Sequence, residues 1–166
     1  MHGWRDLFTH DLVLSETFTT TAVVGLRGDT VDGLFEVDSE IVDLDGSHPT
    51  AENAATARVN NVIDAAIGFD YTETAMETKA EMKVYLKEYF GRILRHLKDA
   101  GATPDQVERF ESDAVKIITH LNSMYPRLQF YLFRSMDTEA GRAFAYYRGE
   151  NRTPTFMYIT HGLTPA

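Results

Sequence analysis

Histidine is the side chain best suited to acid–base or metal chemistry in this sequence, and the chain has six. None of them has the spacing of an HExxH zinc motif. A metal-binding set could therefore arise only by folding, and for each histidine a structural or solvent-exposed position is the simpler interpretation. The six are His2, His10, His48, His96, His120 and His161.

Cysteine is absent, which removes several kinds of chemistry at once. The chain can form no disulfide, no thiolate nucleophile, no cysteine-ligated zinc site and no iron–sulfur cluster. It also lacks the GxSxG, GxxxxGK[ST] and GxGxxG motifs of acyl hydrolases and nucleotide-binding proteins. We therefore predict no enzymatic activity, no catalytic residue, no bound metal and no cofactor.

Alternating acids in the segment 38–46 are the remaining candidate for ion chemistry, because carboxylates are ligands for hard cations. The segment does not fit the EF-hand template, since Ile41 stands five residues before Gly46 where that template has Asp. It has two interpretations: a solvated acidic strand edge that discourages unwanted pairing, or a calcium site of about 10⁻⁴ M or weaker.

Composition predicts one domain over residues 1–166, for a chain of 166 residues and 18.8 kDa. The net charge of −9 argues against binding nucleic acid or an anionic membrane surface, because both need a basic face. No apolar run approaches the roughly 20 residues of a membrane span, and the first residues lack a signal-peptide pattern. The expected location is the cytoplasm.

The elements that would position these residues fall into zones. Residues 1–44 read as strands, with a β-branched run at 17–24 and a partly alternating run at 34–44. Residues 45–61 are small and polar and predict a mobile loop. Residues 78–125 predict a helical hairpin, and 126–166 contain three short aromatic-rich strands. Strands, a hairpin and strands again indicate an α+β fold that is mainly β.

The helical hairpin is the most regular part of the prediction. Apolar residues at helical spacing run through 82–97 and 107–121, and Gly101 is a natural stop between the two helices. Thr103, Pro104 and Gln106 predict a capped second helix, with Thr as N-cap and Gln completing a capping box. The short connection implies antiparallel packing. Charges on the outer faces indicate solvated surfaces, with a partner-binding surface as the alternative.

Six short motifs occur in a fixed order on either side of the predicted hairpin. None is specific alone, but their collinearity covers essentially the whole chain. They are Arg5-Asp6-Leu7 with Thr9-His10-Asp11, Asp32-Gly33-Leu34, Tyr147-Arg148 followed by Thr153-Pro154, and Gly162-Leu163. In this arrangement the sequence resembles the translationally controlled tumour protein (TCTP) family, also called fortilin or histamine-releasing factor.

This resemblance implies a fold and a role. The fold is a twisted β-tent with a projecting antiparallel helical hairpin, which also occurs in a zinc-carrying Rab-binding exchange chaperone and in methionine sulfoxide reductase B. Without cysteine, this chain would be a zinc-free relative that lacks the reductase nucleophile. The implied role is protein interaction in growth control, with small GTPases, tubulin in microtubules, or anti-apoptotic proteins as partners, together with weak calcium binding. The expected state is a monomer.

The sequence departs from the family pattern at several positions. Arg134 stands where the family usually has Glu, and Leu12 replaces a common Glu. In the loop signature, His48 replaces Asn and Thr50 replaces Ser. Because charge reversal at a complementary interface can redirect partner choice, the departures at 12 and 134 bear directly on GTPase binding.

We assign the candidate partner-binding surface to one end of the tent. Two further functions stay open: a weak calcium-binding acidic buffer or stress protein, and a diverged β-tent enzyme. The residues of the predicted surface are Arg5, Asp6, Asp11, His48, Pro49, Thr50, Ala51, Glu52 and Arg134.

Overall fold

The fold combines short antiparallel strands with two long helices, in a computed structural model that describes residues 3–44 and 58–166. The α+β, mainly β prediction is confirmed. The elements of these ranges are β1 (Gly3–Asp6), β2 (Leu12–Ser15), β3 (Thr21–Val24), β4 (Thr30–Asp38), β5 (Ile41–Asp43), β6 (Arg58–Asn60), β7 (Thr72–Thr74), α1 (Lys79–Asp99), α2 (Pro104–Met124), β8 (Gln129–Leu132), β9 (Arg142–Tyr146), β10 (Thr155–Ile159) and β11 (Leu163–Pro165).

A six-stranded sheet in the order β3-β4-β10-β9-β8-β7 forms the centre of the described chain, beside a sheet β11-β1-β2 and a pair β5-β6. All five residues of β10 are buried. Successive side chains of a strand point to opposite faces. Accordingly, Met157 and Ile159 join an apolar cluster with the helices, whereas Phe156 and Tyr158 join a second cluster. The central sheet therefore lies between two apolar clusters.

The helical hairpin packs on one face of this sheet, with α2 against β4 and α1 against α2. Thr103 accepts a hydrogen bond from the Gln106 backbone N–H, and the Gln106 side chain accepts one from the Thr103 N–H. This capping box satisfies two backbone donors at the start of α2. The apolar stripes predicted from helical spacing are the buried faces, with Met82, Ile93 and Ile117 fully enclosed.

Three of the strand and loop predictions need correction. The run at 17–24 forms a strand only from Thr21, and the strand Leu12–Ser15 lies in the zone 1–44 predicted as strands but outside both runs named there. The run at 34–44 is divided between β4 and β5, because the pairing of β4 ends before Ser39. The N–H and the Oγ of Ser39 both donate to the Pro154 carbonyl instead. The predicted loop 45–61 ends too late, since Arg58–Asn60 pair with β5. Residues 45–57 lie outside the described ranges.

Candidate functional site

The turn between β1 and β2 is organised around the carboxylate of Asp6, which is fully buried. Its Oδ2 accepts hydrogen bonds from the backbone N–H of Phe8 at 3.0 Å and of Thr9 at 2.8 Å, and from the Thr9 hydroxyl. Its Oδ1 accepts from the N–H of Gly141 at 3.1 Å. A Cβ at position 141 would lie 2.6 Å from Oδ1, so only glycine allows this close approach. Asp6 thus ties the turn to the start of β9.

A second connection joins the same turn to the loop between β8 and β9. The Asp11 carboxylate accepts hydrogen bonds from the Ser135 backbone N–H at 2.8 Å and from its hydroxyl at 2.7 Å. The next residue, Met136, has a positive φ of 55° and donates its N–H to the Phe133 carbonyl. A non-glycine residue in this conformation needs support from its surroundings, and here it holds an exposed Met side chain outward.

Two exposed guanidinium groups lie on these segments. Arg5 donates through Nη1 to the carbonyl of His10 at 2.9 Å. Arg134 is 60 % exposed, and its Nε lies 3.7 Å from a carboxylate oxygen of Asp70. We define the two-loop surface as five residues at the end of β1, in the β1–β2 turn and in the β8–β9 loop, all exposed except the half-buried Asp11: Arg5, His10, Asp11, Arg134 and Met136.

The structure supports some of the predicted site residues as surface residues and not others. Arg5, Asp11 and Arg134 belong to segments that the hydrogen bonds bring together. Asp6 corrects the prediction: a fully buried side chain positions the surface and cannot touch a partner. His48, Pro49, Thr50, Ala51 and Glu52 lie outside the described residues. Leu12 packs, partly buried, against the apolar cluster on the sheet face opposite the helices, which makes it part of the scaffold.

A polar network that the sequence analysis missed lies on β4, β9 and β10. The Tyr146 hydroxyl donates a hydrogen bond to the Glu36 carboxylate, which also accepts one from Nη1 of Arg148 at 3.1 Å. The Nη2 of Arg148 lies 2.6 Å from Asp38, which also accepts the Thr155 hydroxyl. The motif Tyr147-Arg148 was a signal for this site, but it did not reveal the acids opposite.

Burial decides the ionisation of this network. Desolvation raises the pKa of the Glu36 carboxyl above its ordinary 4.5, although the hydrogen bond from Tyr146 and the charge of Arg148 both act to lower it. Burial also raises the pKa of the Tyr146 hydroxyl, so that group remains a proton donor to Glu36. The network therefore holds β4 against β9 and β10 through polar contacts inside an apolar sheet.

The acidic segment considered for calcium has protein partners. Asp38 is bound by Arg148, and the buried Asp43 lies 3.6 Å from Arg58. Within residues 3–44 and 58–166, no three His, Asp or Glu side chains are grouped as ligands for a metal ion. Calcium binding remains a prediction. In the same ranges no helix has both the length and the apolarity to cross a membrane.

Fold and site together define an α+β protein with a helical hairpin on one sheet face and an exposed surface assembled from two loops. A family model described as translationally controlled tumour protein matches residues 1–164, and the chain belongs to that family. The resemblance inferred from the motifs is thereby confirmed.

Curated relatives and solved structures agree with this assignment. The chain is 34 % identical over 170 residues to the translationally-controlled tumor protein homolog of Plasmodium chabaudi chabaudi, covering 98 % of this chain and 97 % of the relative. The homolog of Aedes albopictus is 29 % identical over 169 residues, with the same coverage. The translationally controlled tumor-associated protein of Schizosaccharomyces pombe has a similar fold, with a TM-score of 0.73 at 24 % identity over 99 % of this chain and 98 % of that one.

Proposed function

We propose that this chain is a non-enzymatic cytoplasmic interaction protein that binds an acidic patch of a partner protein through the two-loop surface. The observation that carries the proposal is the pair of exposed guanidinium groups, one at the end of β1 and one on the β8–β9 loop, on segments that Asp6 and Asp11 hold in place. Loops on a rigid scaffold are a common position for binding residues.

The charge of this surface is the basis for an acidic partner. Both carboxylate oxygens of Asp11 are engaged by Ser135, whereas the exposed guanidinium groups of Arg5 and Arg134 are held by a backbone carbonyl and by a long ion pair. The ion pair of Arg134 with Asp70 is long and exposed, so it costs little to replace by a partner carboxylate. The exposed Met136 adds an adaptable apolar contact between these charges.

Family membership supports small GTPases as the first partner class to examine, in a growth-control role, with tubulin and anti-apoptotic proteins as further candidates. Arg134 occupies a position where the family resemblance implies Glu. We therefore propose that this chain selects partners whose contact patch is acidic, unlike those that suit ordinary members.

The test measures association of wild type and of Arg134→Glu with a panel of purified small GTPases that differ in surface charge. Because exposed charges act mainly on the association rate, we expect Arg134→Glu to slow binding to acidic partners by about tenfold at low salt, and less at physiological salt. Arg152→Glu is the matched control, since that arginine is exposed on the segment before β10. Equal rates for wild type and Arg134→Glu on every partner would contradict the proposal.

A further inference from the structure

His120 on α2 carries a buried imidazole that has no hydrogen-bond partner. The residue is 8 % exposed, and its Nε2 has no contact with solvent. Its backbone carbonyl accepts a hydrogen bond from the Ser123 hydroxyl at 2.6 Å, whereas neither ring nitrogen has a partner among the described residues. Buried polar groups are nearly always hydrogen-bonded, so this imidazole is an unusual feature of the fold.

The β3–β4 turn lies against this imidazole. An open cavity of about 660 Å³ separates the turn from the C-terminal half of α2, with Gly25 and Val31 on one side and His120 on the other. A Cβ on Gly25 would lie 3.9 Å from Nδ1 of His120. The imidazole therefore stays out of water only while the turn keeps this position, which we call the closed arrangement. None of the residues of the two-loop surface lines this cavity.

Few apolar contacts hold the turn in the closed arrangement. It follows β3, an edge strand of the six-stranded sheet, whose register with β4 shifts between Ala22 and Val24. Val24 is 58 % exposed and Leu26 is 88 % exposed, so both side chains bury little surface. Inside the turn, the Gly25 N–H donates to the Asp29 carbonyl at 2.8 Å. Segments with so little apolar burial open at a lower free energy than the core.

The charged groups beside His120 come from both sides of the cavity. Arg27 and Asp29 line it from the turn with opposite charges. Lys116 lines it from α2 and forms a 2.9 Å ion pair with Asp32 of β4. Burial alone accounts for the lowered pKa of the His120 imidazole, since these charges balance.

We propose that His120 is a pH-dependent switch that releases the β3–β4 turn from α2 under mildly acidic conditions. An imidazolium ion has two N–H donors, and the closed arrangement offers no acceptor at Nε2. A buried charge without an acceptor is strongly unfavourable, whereas the turn is weakly held. Uptake of a proton from solvent therefore moves the turn away from α2. The imidazole becomes hydrated, and Val31, which is 7 % exposed in the closed arrangement, is uncovered.

The direction of the pH effect follows from the two states of His120. In the closed arrangement burial lowers the pKa of the imidazole below 6.5, and in the open arrangement the hydrated ring regains that value. Above pH 6.5 the closed arrangement is therefore fully favoured. As pH falls from 6.5 to the lowered pKa, this preference is lost. Because opening takes up one proton, the open population rises by at most about tenfold per pH unit in that range.

Amide hydrogen exchange of the full-length chain tests this switch. Protection of the Gly25 N–H, measured against an unstructured peptide at the same pH, reports opening of the turn. We expect this protection to fall by about fivefold or more between pH 7.5 and pH 5. Protection of the Ile117 N–H in the middle of α2 should change by less than about twofold, which separates local opening from general acid unfolding.

The wild-type ring and matched variants provide independent readouts. Protection of Gly25 should decline from about pH 6.5 and level off where the ring proton resonances of His120 titrate. His120→Gln and His120→Phe both remove the titrating group, one with a polar and one with an apolar side chain. In each of them Gly25 protection should be independent of pH. His96→Gln, which removes an exposed histidine of α1, should keep the wild-type decline.

Several results would overturn the proposal. Gly25 protection in wild type could stay constant from pH 7.5 to pH 5, or it could decline equally in a folded His120 variant. Ile117 could lose protection in parallel with Gly25, which would mean that the whole chain opens. Ring resonances of His120 that titrate above pH 6.5 would contradict the switch even if neither variant folds.

Discussion

Replacing Asp6 by Asn tests whether the buried carboxylate, rather than shape alone, joins the β1–β2 turn to β9. The side chain keeps its size, and its one amide oxygen can still accept from the turn donors Phe8 and Thr9. The NH₂ group then faces the N–H of Gly141, where Oδ1 accepts at 3.1 Å. One hydrogen bond to a charged acceptor is lost, and the Gly141 N–H and the new NH₂ group face each other as buried donors without an acceptor.

The expected cost follows from these two effects. A hydrogen bond to a charged group contributes about 1.5–3 kcal/mol, and an unsatisfied buried donor costs about 1–3 kcal/mol. Since part of the two overlaps, we expect Asp6→Asn to lower the free energy of unfolding by about 3 kcal/mol. For a chain of this size that corresponds to roughly 10 °C in Tm.

Urea unfolding followed by the fluorescence of Trp4, the one tryptophan of the chain, measures this change next to the site. Asp11→Asn is the control: Asp11 is half-buried, and its Asn keeps an acceptor for Ser135, so we expect a loss of about 1 kcal/mol or less. The reasoning is refuted if the unfolding free energy of Asp6→Asn lies within about 0.5 kcal/mol of the wild-type value, with the same dependence on urea concentration. The carboxylate would then not be what joins the turn to β9.

Three further outcomes are expected. Thr103→Ala removes the capping box with Gln106 and should cost about 1 kcal/mol in a urea titration. Phe110→Ala removes a ring that is 2 % exposed and packs at 5.8 Å from the ring of Phe90, so it should cost about 3–5 kcal/mol. Because burial raises the pKa of Glu36 in the folded state, protonation there favours folding. Wild type should therefore gain stability relative to Glu36→Gln as pH falls through that raised pKa towards 4.5.

Each of these has a result that would count against it. A Thr103→Ala change within experimental error would mean that α2 is held by packing alone. An unchanged midpoint for Phe110→Ala would place that ring outside the core. Parallel pH profiles of urea midpoints for wild type and Glu36→Gln would show that the carboxyl titrates as it does in the unfolded chain.

Local signals account for the parts of the fold that the sequence predicted well. The capping box at Thr103 and the apolar spacing from Met82 to Ile93 depend on residues within a few positions of one another, and both are present in the structure. The break between β4 and β5 was missed because its cause is distant: Ser39 bonds to Pro154, 115 residues away. Sheet order likewise depends on contacts that no local pattern contains.

Part of the candidate site could likewise be predicted from local sequence, and part depends on distant residues. The motif around Asp6 and Asp11 was visible in the sequence, but its meaning depends on Gly141 and Ser135 on another loop. Asp6 therefore looked like a surface acid, although it is fully buried.

The pairing of β4 with β10 has a consequence for biosynthesis. Thr155 and Asp38 are register partners 117 residues apart, and β10 carries buried side chains into both apolar clusters. During translation, β4 leaves the ribosome long before β10 exists, so the edge of β4 that pairs with β10 stays unpaired until then. The centre of the sheet can close only after Ile159 has emerged, and such distant pairing is slow. Until then the nascent chain carries an open sheet edge, which is the kind of surface that favours aggregation.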